Sequence, residues 1–375
     1  MSFYLNSIVI LLLSIFLTGI FIPQILLIAF RKELFDKIDE RKIHKGSVPR
    51  LGGLAFTPVI CFGLSLVLAI NNMAGNDILI NSMREQAIPI SMSLCSLLAT
   101  YIVGIADDLI GVRYRAKFII QIIISIMLIA GGLGVTDLDG LFWIHKVSPW
   151  IGWPLTAFFI IFVMNAINLI DGIDGLASGL SSVAFIIYGV FFFLCDERFD
   201  ALVAFSAFGV LIPFFYFNVF GNQEKRKKIF MGDTGSLTIG LIIALLALRI
   251  LTMPDHASHN TWTRSPNLMT IVLSPIIVPC FDVVRVYLYR VRKKKNPFLP
   301  DKSHLHHKLL AAGMTQGAAM LSIVTMSVTI CVFNLYMSKW INLNILILTD
   351  IAGLVTWNLL ISRKIRNRNQ INTIQ

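Results

Sequence analysis

The chain has 375 residues, of which 56% are hydrophobic and only 14% are charged, and its formal net charge is +11. Soluble domains average about 25% charged residues, so this composition predicts an all-α polytopic membrane protein. Because apolar segments use most of the chain, it excludes a large soluble catalytic domain, a nucleic-acid-binding module and a secreted disulfide scaffold.

Eleven apolar segments are long enough to form transmembrane helices. In chain order they are residues 7–30, 51–71, 86–106, 117–136, 150–168, 176–195, 200–220, 234–253, 267–288, 315–337 and 340–361. The first segment is too long for a signal peptide and has no basic stretch before it. We therefore expect it to remain as the first span.

Lysine and arginine are distributed unevenly between the connections. Of the 32 basic residues, 26 fall in alternate connections and in the C-terminal tail, 362–375. Basic loops stay on the cytoplasmic side of a membrane. We therefore expect an outside N-terminus and a cytoplasmic C-terminus, with a positive surface that suits anionic lipids and phosphorylated substrates rather than nucleic acid.

The polar motifs all fall in the connections on the predicted cytoplasmic side. These loops cover about 31–50, 107–117, 165–175, 221–236 and 285–316. Polar clusters without a common function would fall on both sides of the membrane. The distribution therefore predicts an active site on the cytoplasmic face.

An acidic pair ends the third apolar segment. Asp107 and Asp108 are adjacent, and Arg113, Arg115 and Lys117 follow them. Adjacent carboxylates repel each other unless a cation or a proton lies nearby. The pair favours metal binding or general-base chemistry at the membrane boundary, with a charged end to the span as the alternative.

The loop at 165–175 reads NAINLIDGIDG. Its polar side chains recur every three residues: Asn165, Asn168, Asp171 and Asp174. On a helix we expect them to share a face, and no basic residue in the loop neutralises the two acids. Such oxygen ligands suit a hard cation such as Mg²⁺, and a helix cap followed by a turn is the alternative.

A basic run at 225–228 precedes FMGDTGS, which extends from Phe230 to Ser236. The glycines and the start of a helix offer backbone N–H groups to a phosphate. Asp233 would share the metal bound to that phosphate, and Phe230 would stack on a nucleobase. The alternative is an ordinary turn beside a lipid-facing basic edge.

Three histidines, His304, His306 and His307, lie in the most basic loop. Imidazoles beside lysines suit a pyrophosphate, whereas the spacing also permits zinc. We favour phosphate, because no cysteine lies nearby and oxygen-rich clusters occur elsewhere in the sequence.

Three more ionisable residues lie within the last apolar segments. Asp282 and Arg285, three residues apart, are expected to form an ion pair on one helix. Asp350 stands alone in the last segment, where an acid is costly and suggests a function by default. We expect it instead to hydrogen-bond to a neighbouring helix.

These motifs, in the order PRLGG, Asp-Asp, NxxNxxDGxDGL, FMGDTGS and HxHH, resemble those of the polyprenyl-phosphate N-acetylhexosamine-1-phosphate transferases. The resemblance covers residues of about 39–308. It implies one integral-membrane catalytic domain, 1–375, in the cytoplasmic membrane of a bacterium. This domain would move a sugar-1-phosphate from a UDP-sugar to undecaprenyl phosphate, with Mg²⁺ or alternatively Mn²⁺, and release UMP. A homodimer stays open.

The resemblance also implies the roles of individual residues. Asp233 and Asn168 would hold the metal, and Asp107 and Asp108 would deprotonate or orient the lipid phosphate. Direct attack by that phosphate is favoured over a covalent intermediate. The implied substrate-binding residues are Lys45, Arg50, Asn165, Asp171, Asp174, Phe230, His304, His306 and His307.

The histidine loop separates the branches of this family. It reads NPFLPDKSHLHHKLL and looks like the WecA and TagO branch, which transfers N-acetylglucosamine-1-phosphate, whereas MraY-type enzymes carry three consecutive histidines. Another UDP-N-acetylhexosamine and UDP-N-acetylmuramoyl-pentapeptide are alternative donors. A lipid-phosphate transporter is the alternative from another class, but it would place several ionisable groups at mid-membrane.

Overall fold

The protein is a bundle of helices. The structure, a computed structural model, describes residues 3–34, 48–75, 77–253, 267–294 and 303–374. Within these residues the strand-like pairing is one isolated antiparallel bridge, between Asp137 and Lys146. The helices are α1 Phe3–Arg31, α2 Phe56–Met73, α3 Asp77–Glu85, α4 Ala87–Ile110, α5 Tyr114–Leu128, α6 Pro149–Ile170, α7 Leu176–Leu194, α8 Arg198–Phe215, α9 Gly232–Thr252, α10 Leu268–Leu273, α11 Ile277–Arg292, α12 Leu305–Ala311, α13 Gln316–Met337 and α14 Leu343–Ile374.

Ten helices of the described chain are long and apolar enough to cross a membrane. They coincide with ten of the eleven predicted segments. The ninth predicted segment, 267–288, is instead divided into α10 and α11 by a turn that contains Pro275. Proline breaks a helix because it lacks a backbone N–H and its ring clashes with the preceding turn. The all-helical membrane fold is confirmed, with ten continuous membrane-length helices.

A buried polar cluster holds the turn between α10 and α11. The side-chain amide of Asn334, on α13, donates to Ser274 at 3.0 Å and to the Asp350 carboxylate at 2.7 Å. The predicted hydrogen bond from Asp350 to a neighbouring helix is therefore confirmed. Through this cluster α13 and α14 anchor the point at which the ninth segment changes direction.

The central helix of the bundle is α9. Of its most apolar stretch 83% is buried by protein, compared with 22% for α4. Glycines permit close packing around it, because a Cβ on Gly104 of α4 would overlap Thr234, and one on Gly240 would overlap the backbone of α6 at Met164. The first turn of α9 is consequently enclosed by the ends of other helices.

The PRLGG segment packs against the start of α9. Phe230 donates its backbone N–H to Pro49, and the N–H groups of Gly52 and Gly53 donate to the carbonyls of Phe230 and Met231, each at 2.9 Å. A Cβ on Gly53 would overlap the backbone of α9. The two glycines therefore serve close packing of this loop on the helix that carries GDTGS.

Candidate active site

Asp108 binds the N-terminus of α9 with both carboxylate oxygens. One accepts the backbone N–H of Asp233 at 2.7 Å, and the other accepts the N–H of Thr234 at 2.9 Å and its hydroxyl. A carboxylate at this place satisfies helix N–H groups and interacts favourably with the helix dipole. The geometry favours a role for Asp108 in positioning Asp233, rather than in contacting the lipid phosphate.

Lys117 joins the two remaining carboxylates of the cluster. From the first turn of α5 its ammonium forms ion pairs with Asp107 of α4 and with Asp233 of α9, the latter at 2.9 Å. Asp107 also accepts the N–H of Val112 at 2.6 Å. Three helices thus place two carboxylates around one cation. Lys117 was absent from the predicted site residues, although it is one of the basic residues that closely follow the acidic pair in the sequence.

Asn168 and Asp233, the predicted metal pair, are in direct contact. The Asn168 side chain donates to an Asp233 carboxylate oxygen and, at 2.8 Å, to the hydroxyl of Ser236. Their proximity follows from the packing of α6 on α9. Ser236 is a further polar group that the sequence did not single out.

The donor atoms of this cluster fit a hard cation. Among the described residues no three histidine, cysteine, aspartate or glutamate side chains converge on one point. Asp107, Asp233 and the Asn168 amide oxygen can supply part of an oxygen shell, and the Lys117 ammonium already lies where positive charge is favoured. Mg²⁺ usually keeps waters or substrate phosphate oxygens as its other ligands, which agrees with so few protein donors.

The two aspartates of the DGID sequence have different surroundings. Asp171 has an exposed surface, but much of its surroundings is protein. The pKa of its carboxyl is raised to about 7, first because the surrounding protein weakens its hydration and next because the Asp233 carboxylate is negative. The positive charge of Arg50 acts in the opposite direction. Asp174 instead forms an ion pair with Lys228 at 2.6 Å, and both side chains are largely buried. Asp171 thus faces the cluster, and Asp174 ties its loop to the basic run.

Asn165 lies apart from the acidic cluster. Its amide donates to Gln121 at 2.9 Å and to the carbonyl of Ile161 at 2.7 Å. The expected shared face does not form, because α6 ends at Ile170, before the two aspartates. On the helix itself, a three-residue step turns side chains by about 60° relative to one another.

A mostly apolar cavity of about 280 Å³ lies beside Asn165, between α5, α6 and α11. Phe118, Phe158 and Phe162 line its wall, and Arg290 and His304 lie at the same cavity. It therefore combines an apolar surface with basic and imidazole groups.

Asp282 organises the histidine loop. This fully buried carboxylate accepts from Arg285 at 2.7 Å and from the N–H of Leu305 at 3.0 Å, and it lies 2.8 Å from Nδ1 of His304. The predicted ion pair with Arg285 is confirmed. Its second function, holding His304, was missed because the two residues are 22 positions apart.

His306 is buried, and its burial disfavours the charged form of the imidazole. It is only 1% exposed and packs against Gly172, where a Cβ would overlap the imidazole. Neither ring nitrogen has a hydrogen-bond partner within the described parts of the chain. Burial, and secondarily His307, lowers its pKa to about 3. A cationic contact between His306 and pyrophosphate is therefore disfavoured, and of the three imidazoles His307 is the one that is half-buried.

Two predicted substrate-binding residues belong to the PRLGG and FMGDTGS regions, and a third, Lys45, precedes them in the sequence. Arg50 is exposed, and Phe230 is half-buried with its backbone held by the PRLGG segment. Lys45 lies outside the described residues. Arg50 and Phe230 therefore flank the first turn of α9.

The sequence that carries this site is similar to those of known proteins. Residues 90–251, which contain the Asp-Asp, NxxNxxDGxDGL and GDTGS motifs, match the model of Glycosyl transferase family 4. An undecaprenyl-phosphate alpha-N-acetylglucosaminyl 1-phosphate transferase of Salmonella typhi is 30% identical over 317 residues, which cover 83% of this chain and 79% of the relative. The protein of the same name from Escherichia coli strain K12 is 29% identical over equal shares.

A relative from Bacillus subtilis extends the similarity over more of the chain. It is named a probable undecaprenyl-phosphate N-acetylglucosaminyl 1-phosphate transferase and is 29% identical over 358 residues. The matched region covers 92% of this chain and 91% of the relative. It therefore includes the histidine loop as well as the family-model region.

Proposed function

The chain belongs to Glycosyl transferase family 4, and we propose that it transfers N-acetylglucosamine-1-phosphate from UDP-N-acetylglucosamine to undecaprenyl phosphate. The products are undecaprenyl-pyrophosphoryl-N-acetylglucosamine and UMP. The observation that carries the proposal is the cluster of Asp107, Asp233 and Asn168 around Lys117, at one end of the bundle. In bacteria such a product initiates a cell-envelope polysaccharide.

The apolar cavity between α5, α6 and α11 supports a lipid acceptor. Aromatic side chains line it, and a polyprenyl chain is an apolar ligand. Arg290, at the same cavity, supplies a guanidinium, the group best suited to phosphate recognition. We assign the cavity to the phosphate-proximal part of the lipid.

Charge supports one orientation in the membrane. We propose eleven spans, with α10 and α11 together forming the ninth, an outside N-terminus and a cytoplasmic active site in the bacterial inner membrane. The basic loops and the acidic cluster share one side, which suits a nucleotide donor from the cytosol. A homodimer remains a prediction, to be checked by light scattering of the purified protein.

The reaction forms one bond and breaks one. An oxygen of the lipid phosphate attacks the β-phosphorus of the donor, and the bond from that phosphorus to the bridging oxygen breaks, so that UMP leaves with this oxygen. A lipid phosphate is largely ionised near pH 7, so no covalent enzyme intermediate is needed. Asp107 would orient the lipid phosphate and hold its remaining proton.

Charge stabilisation is the second requirement of the reaction. Lys117 would neutralise part of the negative charge that develops on the transferring phosphoryl group. When bound, Mg²⁺ would neutralise the donor pyrophosphate. Asp233 and Asn168 would hold it, with Mn²⁺ as the alternative ion, and Asp171 and Phe230 would hold the uridine.

The test is UMP release by the purified full chain with undecaprenyl phosphate and Mg²⁺. UDP-N-acetylglucosamine, UDP-N-acetylgalactosamine and UDP-N-acetylmuramoyl-pentapeptide are offered in parallel, with and without a chelator. We expect UMP from the first donor alone, and none after chelation. Turnover with the pentapeptide alone would contradict the assigned branch, and no UMP from any donor by folded protein would contradict the reaction.

A further inference from the structure

The histidine helix, α12, is too short to hold its own orientation. It has seven residues, whereas isolated helices shorter than about 12–15 residues are marginal in water. Contacts with the rest of the protein therefore set its direction. Asp282 fixes its start by accepting the N–H of Leu305 at 3.0 Å. Two further contacts join α12 to α14 and to the loop 171–175, which follows α6.

Lys308, in the middle of α12, contacts α14. Its ammonium donates to the side-chain oxygen of Asn358 at 2.5 Å and to the hydroxyl of Ser362 at 2.7 Å. Both acceptors are neutral, and a half-buried lysine loses rotamer freedom when it makes two such bonds. The contact commits this ammonium to α14, although Lys308 directly follows the histidines in the sequence.

Arg368 lies against the end of α12. Gly313 follows the helix with a φ of +94°, and a Cβ on it would overlap the guanidinium of Arg368. The N–H of Met314 donates to the carbonyl of Leu309 at 3.1 Å, the hydrogen bond that ends a helix in the Schellman motif. A basic side chain at this end of a helix interacts favourably with its carbonyl groups. The C-terminal part of α14 thus contacts both the middle and the end of α12.

His306 fills the space between α12 and the loop 171–175. If Gly172 carried a Cβ, the three atoms nearest to it would all belong to the His306 imidazole. The φ angle of Gly172 is not positive, so its conformation does not require glycine. Glycine at this position instead leaves room for the imidazole. The contact is therefore one of volume, and it joins α12 directly to the residue after Asp171.

Another group holds the second half of this loop. Asp174 forms its ion pair with Lys228 at 2.6 Å. Asp171 precedes that contact and directly follows the last residue of α6. His306 is thus placed to set the direction of Asp171, the carboxylate that holds the uridine in the proposed reaction.

We propose that α14 positions Asp171 through α12, with Lys308 as the contact to α14 and His306 as the contact to the loop. Both are positioning residues, and His306 acts by its volume. The inference rests on the proposed transferase function, in which Asp171 holds the donor nucleotide. It gives the C-terminal part of α14 a function in donor binding, in addition to that of a membrane span.

Gly172→Ala and His306→Ala test the contact with the loop, by UMP release and thermal unfolding of the full chain. The methyl group of Gly172→Ala overlaps the imidazole, so the KM for UDP-N-acetylglucosamine should rise about tenfold, and more than the KM for undecaprenyl phosphate. The melting temperature should fall as well. The double variant should recover both quantities in part, because the obstruction is gone. Gly19→Ala on α1, where a Cβ meets nothing within 4 Å, is the matched control.

His306→Met separates volume from imidazole chemistry. Methionine is flexible and fills irregular spaces, so this variant keeps most of the volume without a ring nitrogen. It should raise the donor KM less than His306→Ala does.

Lys308→Met tests the contact with α14. It removes the donor group, so the donor KM should rise about threefold, whereas Lys308→Arg should recover much of the loss. In the His306→Ala background Lys308→Met should add little, because Lys308 acts through His306. Ser362→Ala removes one acceptor, and its matched control Thr356→Val removes an exposed hydroxyl from the same helix. We expect only Ser362→Ala to raise the donor KM.

Four results would overturn the inference. The first is a wild-type donor KM for Gly172→Ala, and the second is an effect of His306→Met as large as that of His306→Ala. The third is full additivity of Lys308→Met and His306→Ala. The fourth is a lower melting temperature of Lys308→Met without a change in donor KM, which would make its contact with α14 purely structural. No UMP from folded wild-type protein would instead contradict the transferase function, and the melting temperatures of Gly172→Ala and the double variant would still test the contact itself.

Discussion

The two ends of α9 both gather charge, but they differ in how that charge is neutralised. At its start, the carboxylates of Asp107 and Asp233 share the single ammonium of Lys117. Near its end, the guanidinium of Arg249 donates to both oxygens of Asp200, at 2.9–3.2 Å, and both side chains are largely buried. In the Arg249–Asp200 pair both carboxylate oxygens already accept hydrogen bonds from the guanidinium. At the start of α9, two carboxylates share one ammonium, so oxygen atoms remain that could bind another cation.

This difference separates two uses of buried charge. A bidentate Arg–carboxylate pair fixes helices relative to one another and leaves little to bind a ligand. Carboxylates in excess of their cation retain an affinity for metal or protons. We therefore expect substitutions at the start of α9 to change turnover, and substitutions near its end to change stability.

The largest effect is expected for Asp233→Asn. Loss of this charge removes the attraction for a cation beside the donor pyrophosphate, so turnover should fall about a thousandfold. Stability should be nearly unchanged, because the amide can still accept from Asn168. UMP release and thermal unfolding measure the two quantities. Turnover above about a tenth of the wild-type value would contradict the catalytic role assigned to the start of α9.

Arg249→Met should produce the converse result. It leaves the Asp200 carboxylate buried without its partner, which costs about 3 kcal/mol of unfolding free energy. Turnover per folded molecule should not change. Denaturation in detergent measures the loss, and the double variant Arg249→Met with Asp200→Leu should recover most of it. A fall in turnover of the folded fraction would show that the two ends of α9 are functionally coupled.

Asp108→Asn tests whether Asp108 positions Asp233 or takes part in catalysis directly. Its amide nitrogen cannot accept the helix N–H groups, so about 1–2 kcal/mol of stability should be lost and turnover should fall about tenfold through misplacement of Asp233. Thr234→Val, which removes one of the contacts to Asp108, should act in the same direction more weakly. A loss of turnover as large as that of Asp233→Asn, without loss of stability, would instead show direct catalysis by Asp108.

The excess of negative charge at the acidic cluster should make stability depend on pH through Asp171. The pKa of Asp171 is raised to about 7 in the folded protein from its ordinary value of 3.8. Between about pH 4 and 7 the folded state therefore binds a proton that the unfolded state has released. Stability therefore falls as pH rises through this window and stays lower above it. Asp171→Asn should abolish that fall, so its melting temperature should exceed the wild-type value above pH 7 and match it near pH 4. Equal differences at both pH values would contradict the raised pKa.

The smallest effect is expected for Asp350→Asn. Asn334 donates to this side chain, and an amide oxygen can accept the same hydrogen bond. Turnover should stay within about twofold and stability within about 1 kcal/mol. A large loss of turnover would assign a function to a carboxylate outside the acidic cluster.

The loop at 165–175 shows how far sequence spacing could predict the site. Asn168 and Asp233 meet as expected, although they are 65 residues apart. The regular spacing also suggested a shared face for Asn165 and the two aspartates, which the end of α6 prevents. Spacing predicts a direction only within an unbroken helix, and the last residue of a helix is the least certain feature of a sequence pattern.

The sequence by itself determined ten of the membrane-length helices, the uneven distribution of basic residues among the loops, and the motifs that identify the family. These properties depend on apolar length, local composition and short spacing, which act within one segment of chain. Tertiary structure alone decided that Asp108 would cap α9, that Lys117 would bridge Asp107 and Asp233, and that Asp282 would hold His304. Each of these contacts joins groups from separate segments, and their distance and burial arise only when the helices pack.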